Sequence, residues 1–341
     1  MDQTTNPTAA ERAAERHREA LDPEADEIDE LEAAEAEAAE RLDVEDGADE
    51  HRADEDAPET AGSADDWLDP DQDVARHEAA DEAETDPVDG EGLDRASEAA
   101  NISNREQTAL ARLLAEGELM PAEPDDRVER YGEDGPLVVF VHGGYFRPGI
   151  DRTHARPTAK ALAELGYRVL LPEYRREPGN PDAALTDLAE LARSLDEPAV
   201  WMGHSAGGFL VLHRAFDDVD FRAIVALAPV ASLAETAEEH LGEDAVRNWI
   251  GATPSEQPET YRRLDPQVLA ATRAEQGQPL DADPRIFLLH GDLDVTVPVK
   301  QTIGFPAAKK VVEAAHHFDL IDPESRYWCE VCTTLQRLAH A

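Results

Sequence analysis

A serine set between glycines is the first feature of the chain that could do chemistry. Residues 203–207 read GHSAG and match the pattern G-x-S-x-G. In that pattern the serine sits on a sharp turn between a strand and a helix, so that its hydroxyl projects above a sheet, and the glycines let the backbone turn. A predicted strand over residues 199–202 and a predicted helix from Ala206 supply this context. We therefore predict that Ser205 is a nucleophile; the alternative is a glycine-rich turn without chemistry.

A serine nucleophile needs a base, and the base needs an acid that orients it. Two aspartates, Asp292 and Asp294, follow the predicted strand 285–289. We predict Asp294, three residues before a Val-Pro pair, as the orienting acid. Asp292 is expected to accept hydrogen bonds from loop amides instead, as turn aspartates commonly do.

Two adjacent histidines, His316 and His317, follow the predicted last strand 310–314. The base needs the carboxylate on one ring nitrogen and the serine on the other, and this favours His317, the residue directly before Phe318. His204 lies beside the serine, but a neighbour in a tight turn points away from it, so we predict a spacer or supporting role. Along the chain the three residues occur in the order Ser, Asp, His. This is the order expected when the serine lies on such a turn between a strand and a helix.

A glycine pair follows the predicted strand 137–141, where residues 142–145 read HGGY. A tetrahedral oxyanion needs backbone N–H donors with no side chain in the way. We predict the amides of Gly143, Gly144 and Ala206 as these donors. The alternative is a glycine turn with no catalytic part.

These residues must be carried by a sheet whose strands end at one edge. After residue 126, short apolar runs alternate with longer amphipathic ones, which predicts parallel strands joined by right-handed helical crossovers. The strands are continuously apolar, as expected when both faces of a sheet are covered. The predicted fold class is α/β, with a mostly parallel central sheet and helices on both faces. Strands are predicted at 137–141, 167–171, 199–202, 223–227, 285–289 and 310–314, and helices at 158–165, 182–195, 206–216 and from about 323 to the end.

The predicted catalytic domain spans residues 103–341. Ser103, followed three residues later by Glu106, predicts a capping box at the start of a helix whose apolar stripe runs from Leu110 to Leu114. The segment 232–283 is predicted to be helical and irregular and is the candidate for a cap over the site.

The acidic residues are unevenly distributed along the chain. The 341 residues include 76 acidic and 31 basic ones, for a formal net charge of −45. Residues 1–100 hold 37 acidic and 7 basic residues, a net charge of −30, and few large apolar side chains. Such a segment cannot bury enough apolar surface to offset the entropy lost on ordering, so residues 1–102 are predicted to be an acidic, disordered tail. Neither part has a basic stripe, which argues against binding nucleic acid or an anionic membrane.

The acid excess leaves two hypotheses open. Trp67 and Leu68 lie among aspartates like a short docking motif, so the tail is a candidate for binding a protein partner, with the globular part as an idle scaffold. The acid excess and the presence of only four lysines also fit adaptation to high internal salt. In that case the folded domain should lose structure at low salt through self-repulsion.

The sequence predicts a cytoplasmic protein, because no secretory leader and no run of about 18 apolar residues occurs in it. Cys329 and Cys332 have no second cysteine pair and no histidine cluster nearby, so neither a zinc site nor a redox motif is predicted. We expect the two cysteines to be small apolar residues one helical turn apart.

The motifs together resemble the α/β-hydrolase superfamily, and within it the branch of kynurenine formamidase (arylformamidase) and small carboxylesterases. The resemblance covers about residues 126–339. It rests on HGGYF at 142–146, where Trp is commoner at the last position, GHSAGG at 203–208, the pattern HG-x-x-D-x-x-VP at 290–298, HFDLIDP at 317–323, DRTH at 151–154 and EYRR at 173–176. Two departures are a short stretch before residue 137, which predicts a trimmed first sheet edge, and a short stretch after Pro298, which predicts that the helix usual there is short or absent.

The resemblance implies acyl transfer to water without a metal or an organic cofactor. In that reaction Ser205 attacks a carbonyl, His317 takes and returns the proton, and Asp294 holds the imidazole.

The substrate implied by the resemblance is a small amide or ester, an arylformamide of the N-formylkynurenine type or, alternatively, a short-chain carboxylic ester. Candidate substrate contacts are Tyr145, Phe146 and Trp249. Trp249 and Tyr261 would suit an aromatic substrate, although large aromatic residues mostly serve cores and interfaces.

Overall fold

The computed structural model describes residues 90–121 and 127–340, with side chains from residue 97 onward. The predicted disordered tail and its Trp67-Leu68 motif lie outside the described residues as far as residue 89.

A seven-stranded sheet forms the centre of the fold, with strand order β1-β3-β2-β4-β5-β6-β7. Only β1 is antiparallel, pairing with β3, and all other neighbours are parallel. This confirms the predicted α/β fold class with its mostly parallel sheet. The strands are β1 Val128–Tyr131, β2 Leu137–Val141, β3 Arg168–Pro172, β4 Val200–His204, β5 Ala223–Leu227, β6 Ile286–Gly291 and β7 Ala308–Val312.

Ten helices surround the sheet in the described part of the chain. The helix after Pro298 has five residues, as expected from its short sequence. The helices are α1 Gly90–Leu119, α2 Arg156–Glu164, α3 Asp182–Ser194, α4 Ala206–His213, α5 Leu233–Glu238, α6 Leu241–Ile250, α7 Pro258–Leu264, α8 Pro266–Glu275, α9 Lys300–Gly304 and α10 Trp328–Ala339. Short 3-10 turns occur at Arg152–Ala155, Arg214–Phe216 and Leu280–Ala282.

Apolar strands are buried on both faces because helices cover each side. In β2, Val139 and Val141 belong to one hydrophobic core, which includes residues of α3 and α4. The alternate residues Val138 and Phe140 belong to a second core, which includes residues of α1, α2 and α10. Side chains of a strand alternate between the two faces, so a continuously apolar strand fills both cores at once.

Helix α1 corrects one sequence-based prediction. It begins at Gly90 and passes through Ser103, so Ser103 does not start a helix and Glu106 is not part of a capping box. Packing of the apolar stripe, in which Leu113 is fully buried, outweighs the local preference of serine for a helix end. The predicted boundary between residues 102 and 103 falls inside this helix.

The predicted cap segment, residues 232–283, contains helices α5 to α8. At the start of α6 the backbone is left-handed at Gly242, Glu243 and Asp244. A Cβ atom on Gly242 would lie 2.4 Å from the Tyr145 ring, so this turn packs directly on the HGGY loop.

Both cysteines lie on α10 and are free, Cys329 exposed and Cys332 half-buried. The expectation of two small apolar residues therefore suits only Cys332. None of the helices between residues 90 and 340, outside the undescribed 122–126, is long and apolar enough to span a bilayer.

Candidate active site

The turn between β4 and α4 holds Ser205 in a strained backbone conformation, with φ 56° and ψ −119°. The N–H of Ser205 donates to the carbonyl of Leu227 on the neighbouring strand β5, at 2.9 Å. A Cβ atom on Gly203 would lie 2.2 Å from the carbonyl oxygen of Gly207, and one on Gly207 would lie 2.1 Å from that of Val141. Only glycine fits at both positions, which explains the G-x-S-x-G spacing physically.

Asp294 and His317 meet at the carboxyl ends of β6 and β7. The Nδ1 atom of His317 lies 2.7 Å from Oδ2 of Asp294, and the two residues are 2 % and 8 % exposed. The other carboxylate oxygen of Asp294 accepts the N–H groups of Thr296 and Val297, at 3.0 and 2.7 Å. The acid is therefore fixed by its own loop and points one oxygen at the histidine.

The electrostatics of the pair keep Asp294 ionised and make His317 more basic. Burial alone would raise the pKa of Asp294, but His317 and His290 outweigh it and hold this pKa well below its ordinary value. Burial alone would lower the pKa of His317, but Asp294 raises it, with a smaller contribution from Glu106. An imidazole held this way takes up a proton more readily than a free histidine.

The two aspartates and the two histidines have different partners in the structure. Asp292 accepts the N–H of Ala314 at 2.7 Å, which is the loop-amide role predicted for it. His316 faces Asp319, with Nε2 at 3.5 Å from its carboxylate, whereas His317 faces Asp294.

The carbonyl groups of the HGGY loop are held so that the amides after them point the opposite way. The Tyr174 hydroxyl donates to the carbonyl of His142 at 2.9 Å. The ring Nδ1 of His142 lies 2.6 Å from the carbonyl of Gly143 and must donate to it, because a carbonyl only accepts. In a trans peptide the C=O and the following N–H are antiparallel. The N–H groups of Gly143 and Gly144 are thereby turned away from Tyr174 and from the His142 ring.

The ring of His142 is itself anchored from behind. Its Nε2 lies 3.3 Å from the Glu173 carboxylate and 3.3 Å from a guanidinium nitrogen of Arg176. Burial would raise the pKa of Glu173, but His142 and Arg176 lower it overall. The EYRR stretch at 173–176 thus supplies the charge pair and the hydroxyl that orient the glycine loop.

Ser205 and His317 line one small cavity of about 10 Å³ together with the glycine loop. The lining also includes the α1 residue Leu110, so this helix forms part of the wall. The lining residues are Leu110, Gly143, Gly144, Tyr145, Ile150, His154, His204, Ser205, His317 and Phe318.

Of the three predicted substrate contacts, only Tyr145 lies on this cavity. Phe146 and Trp249 stack on each other with ring centroids 4.1 Å apart, and both are buried in a hydrophobic core. Tyr261 is also buried, and its hydroxyl donates to the carbonyl of Ala252 at 2.8 Å. Ala206, the third predicted oxyanion donor, follows Ser205 as the first residue of α4.

His204 makes a hydrogen bond to His317, the predicted base, that its sequence neighbourhood does not indicate. Its Nε2 donates to the carbonyl of His317 at 2.9 Å. Burial, together with the charge on His317, holds the pKa of His204 well below its ordinary value, so the ring is neutral. The hydrogen bond to the backbone of His317 links the turn at Ser205 to the loop after β7.

Glu106 was also missed as a site residue, because its spacing from Ser103 suggested a cap. In the structure its carboxylate accepts the backbone N–H of His317 at 3.1 Å and the Thr296 hydroxyl at 2.8 Å. An acidic residue on the apolar side of an amphipathic helix was the one available signal, and it does not indicate the partner.

Solved structures with a similar fold include several ester hydrolases. A truncated form of a carbohydrate esterase from gut microbiota has 16 % identity and a TM-score of 0.50, covering 63 % of this chain and 91 % of its own. An acetyl ester-xyloside bifunctional hydrolase from Caldicellulosiruptor lactoaceticus has 20 % identity and a TM-score of 0.48, covering 64 % and 90 %. Esterase B from Lactobacillus rhamnosis has 18 % identity and a TM-score of 0.48, covering 73 % and 97 %. At these identities the likeness concerns the fold alone.

A search of curated protein sequences found no significant match. The sequence profile described as the alpha/beta hydrolase family matches residues 138–327, more than half of the chain. That span contains the strand-to-helix turn at Ser205, the glycine loop and the loops that carry Asp294 and His317. The chain belongs to the alpha/beta hydrolase family.

Proposed function

We propose that the protein hydrolyses small carboxylic esters by acyl transfer through Ser205. The observation that carries the proposal is a shared cavity: Ser205, His317 and the glycine loop line it, and Asp294 holds the far nitrogen of His317 at 2.7 Å. A nucleophile, an oriented base and backbone donors at one place are the components that acyl transfer requires.

In the first half of the reaction, the Ser205 hydroxyl oxygen attacks the carbonyl carbon while Nε2 of His317 accepts its proton. The resulting oxyanion is stabilised by the N–H groups of Gly143, Gly144 and Ala206, where one such donor is commonly worth about 3–4 kcal/mol of transition-state stabilisation. Collapse of the intermediate breaks the bond to the alcohol, which leaves with the proton from His317.

In the second half, water replaces the alcohol. His317 accepts a proton from the water as its oxygen attacks the acyl-serine carbonyl, and the proton then returns to the Ser205 oxygen as the carboxylic acid leaves. Asp294 stays ionised and stabilises the imidazolium in both halves. Every step uses groups of this chain, the ester and water.

The size of the cavity favours a short acyl chain. At about 10 Å³ it lies far below the range of roughly 300–1,000 Å³ that is usual for drug-sized ligands. Acetyl and butyryl groups are therefore the first acyl groups to test.

An arylformamide is the second candidate substrate. Formyl is the smallest acyl group, and the motifs at 142–146, 203–208 and 317–323 resemble those of arylformamidases. The aromatic contact expected from Trp249 does not support it, because that ring stacks on Phe146 in the core. Tyr145 is the tyrosine that faces the cavity.

The test has two stages, both with Ser205→Ala as the blank. A fluorophosphonate probe should label the wild-type protein at Ser205 and leave the variant unlabelled. Turnover of p-nitrophenyl acetate and butyrate is then compared with that of N-formylkynurenine. Unlabelled wild-type protein would refute the proposal and leave the scaffold hypothesis, in which the acidic tail binds a partner. A preference for the formamide by orders of magnitude would replace ester with arylformamide.

A further inference from the structure

We propose that Glu106 of helix α1 is a positioning residue that holds the acid loop and the base loop of the active site together and places a second negative charge beside His317. The inference rests on the proposed function, because it assigns His317 the role of the base. It adds a residue from outside the matched family region, 138–327, to the machinery of the site.

The carboxylate of Glu106, which is 189–211 residues away in sequence, bridges the loop after β6 and the loop after β7. One oxygen accepts the backbone N–H of His317 at 3.1 Å and that of Val295 at 3.2 Å. The other accepts the Thr296 hydroxyl at 2.8 Å. Val295 and Thr296 directly follow Asp294, so a single side chain ties the loop of the acid to the loop of the base.

A carboxylate at this position can accept hydrogen bonds from all three donors. Three donors converge on it, and an ionised carboxylate has acceptor sites on both oxygens and no proton to clash with them. Hydrogen bonds to a charged acceptor are also about twice as strong as neutral ones. With Glu106 only 4 % exposed, removing these acceptors would leave buried donors without partners.

Helix α1 is docked firmly enough to act as the support. Gly117 lies so close to the 3-10 turn at Arg152–Ala155 that a Cβ atom there would be 2.0 Å from the Thr153 carbonyl oxygen. Arg112 pairs with Asp322 and Glu324 on the segment after the base. Leu113 is fully buried in the second core.

Burial and the neighbouring charges, including that of Glu106, shift the pKa of His317 in opposite directions. Asp294 and Glu106 are the two groups that raise the pKa of His317, against the effect of burial. Burial also raises the pKa of Glu106 itself, and the charge on His317 opposes that rise. The other titratable or charged groups around the pair are His290 beside Asp294, His204 on the elbow, His316 on the base loop, Tyr145 on the glycine loop, His154 on the 3-10 turn and Arg105 on α1.

The main test uses Glu106→Gln, which keeps an amide oxygen for the two N–H donors and removes the charge. The rate of fluorophosphonate labelling of Ser205 is measured across pH, which requires no knowledge of the substrate. Attack needs neutral His317, so the rate rises with pH through the pKa of that histidine. Because the charge of Glu106 raises the pKa of His317, its loss should move the inflection of the rate–pH curve to lower pH. The labelling rate on the plateau should stay within a few-fold of that of the wild type.

Glu116→Gln is the matched control. It removes the same charge from the same helix about 15 Å away, given a rise of about 1.5 Å per residue, and its side chain is partly exposed. Its inflection should coincide with that of the wild type.

Two further readouts separate positioning from a merely structural role. A carboxylate with a raised pKa costs stability once it ionises, since the folded state then loses its tighter proton binding as pH rises through that pKa. Glu106→Gln should therefore melt at the same or a higher temperature than wild type at pH 7. Glu106→Ala, which removes all three acceptors, should lower the labelling plateau by about 10–100-fold, the loss expected when a catalytic group is misplaced.

An unshifted inflection in Glu106→Gln, or a wild-type plateau in Glu106→Ala, would overturn the inference while the proposed function stands. If Glu106→Ala does not fold, the Glu106→Gln profile decides alone. Failure of the wild-type protein itself to label would refute the proposed function instead, so the two failures are distinguishable.

Discussion

The two sides of Ser205 are both held by hydrogen bonds to backbone groups, but their supports come from different distances along the chain. On the oxyanion side, the hydroxyl of Tyr174 reaches the carbonyl of His142 from 32 residues away, and His142 binds its own neighbour Gly143. On the base side, His204 and Glu106 reach the backbone of His317 from 113 and 211 residues away.

This difference suggests that the two sides respond differently to damage. The oxyanion side consists of strand β2, the glycine loop that follows it and the neighbouring strand β3, which pairs with β2 in parallel. The base side depends on helix α1, whose apolar side chains pack in the second core. Changes to the oxyanion side should therefore lower the rate without shifting its pH dependence, whereas changes to α1 that move or neutralise Glu106 should alter the position or the pKa of His317.

The largest effect is expected on the oxyanion side, from Tyr174→Phe. The ring and its contact with His142 remain, but the buried carbonyl of His142 loses its donor, so the amide of Gly143 is no longer fixed. Deleting an oxyanion donor outright costs about 10²–10³ in rate, and freeing one should cost less. We expect a decrease of about 10–100-fold in kcat/KM for p-nitrophenyl acetate, with an unchanged pH inflection.

Tyr261→Phe is the matched control for this prediction. Its hydroxyl makes the same kind of bond, to the carbonyl of Ala252 at 2.8 Å, in the segment 232–283. Equal losses of activity in the two variants would show that the orientation of the glycine loop is not what Tyr174 contributes.

The motifs of the site and its fold could be predicted from sequence because each signal is local. Ser205, the glycine pair and Asp294 each follow an apolar strand, and parallel strands bring their carboxyl ends to one edge of a sheet. These residues are therefore expected at the same edge whatever the order of the strands in the sheet.

The supports of the base could not be predicted, because they depend on how remote elements pack. Glu106 has its partners 189–211 residues away, and nothing in its neighbourhood indicates them. The capping-box prediction was wrong for the same reason. Burial of the stripe from Leu110 to Leu114 decides where α1 packs, and the helix begins at Gly90 rather than at Ser103.

A smaller effect is expected on the base side from His204→Leu, which removes the donor to the carbonyl of His317. Glu106 still holds the N–H of the same residue, so the base should be loosened rather than lost. We expect a decrease of about 10-fold in the labelling rate of Ser205, within the cost of misplacing a catalytic group. His204→Gln should restore most of it, because its terminal amide reaches as far as Nε2 and also donates. If Gln and Leu behave alike, the bond to His317 is not the function of His204.

The smallest effect on activity, and the clearest effect on stability, is expected from Gly117→Ala at the far end of α1. The added methyl group would meet the Thr153 carbonyl oxygen at 2.0 Å, so the helix must move away from the 3-10 turn. Overpacking of this kind commonly costs about 1–3 kcal/mol, partly offset by the roughly 1 kcal/mol by which alanine favours a helix over glycine.

Gly304→Ala is the control, since the nearest atom there, Nε2 of Gln267, lies 3.4 Å away. Denaturant unfolding should show a loss of stability for Gly117→Ala only. Its labelling rate should fall by less than that of Glu106→Ala, because the carboxylate is shifted but still present. A rate loss as large as that of Glu106→Ala, without loss of stability, would mean that α1 does not act on the base through its docking.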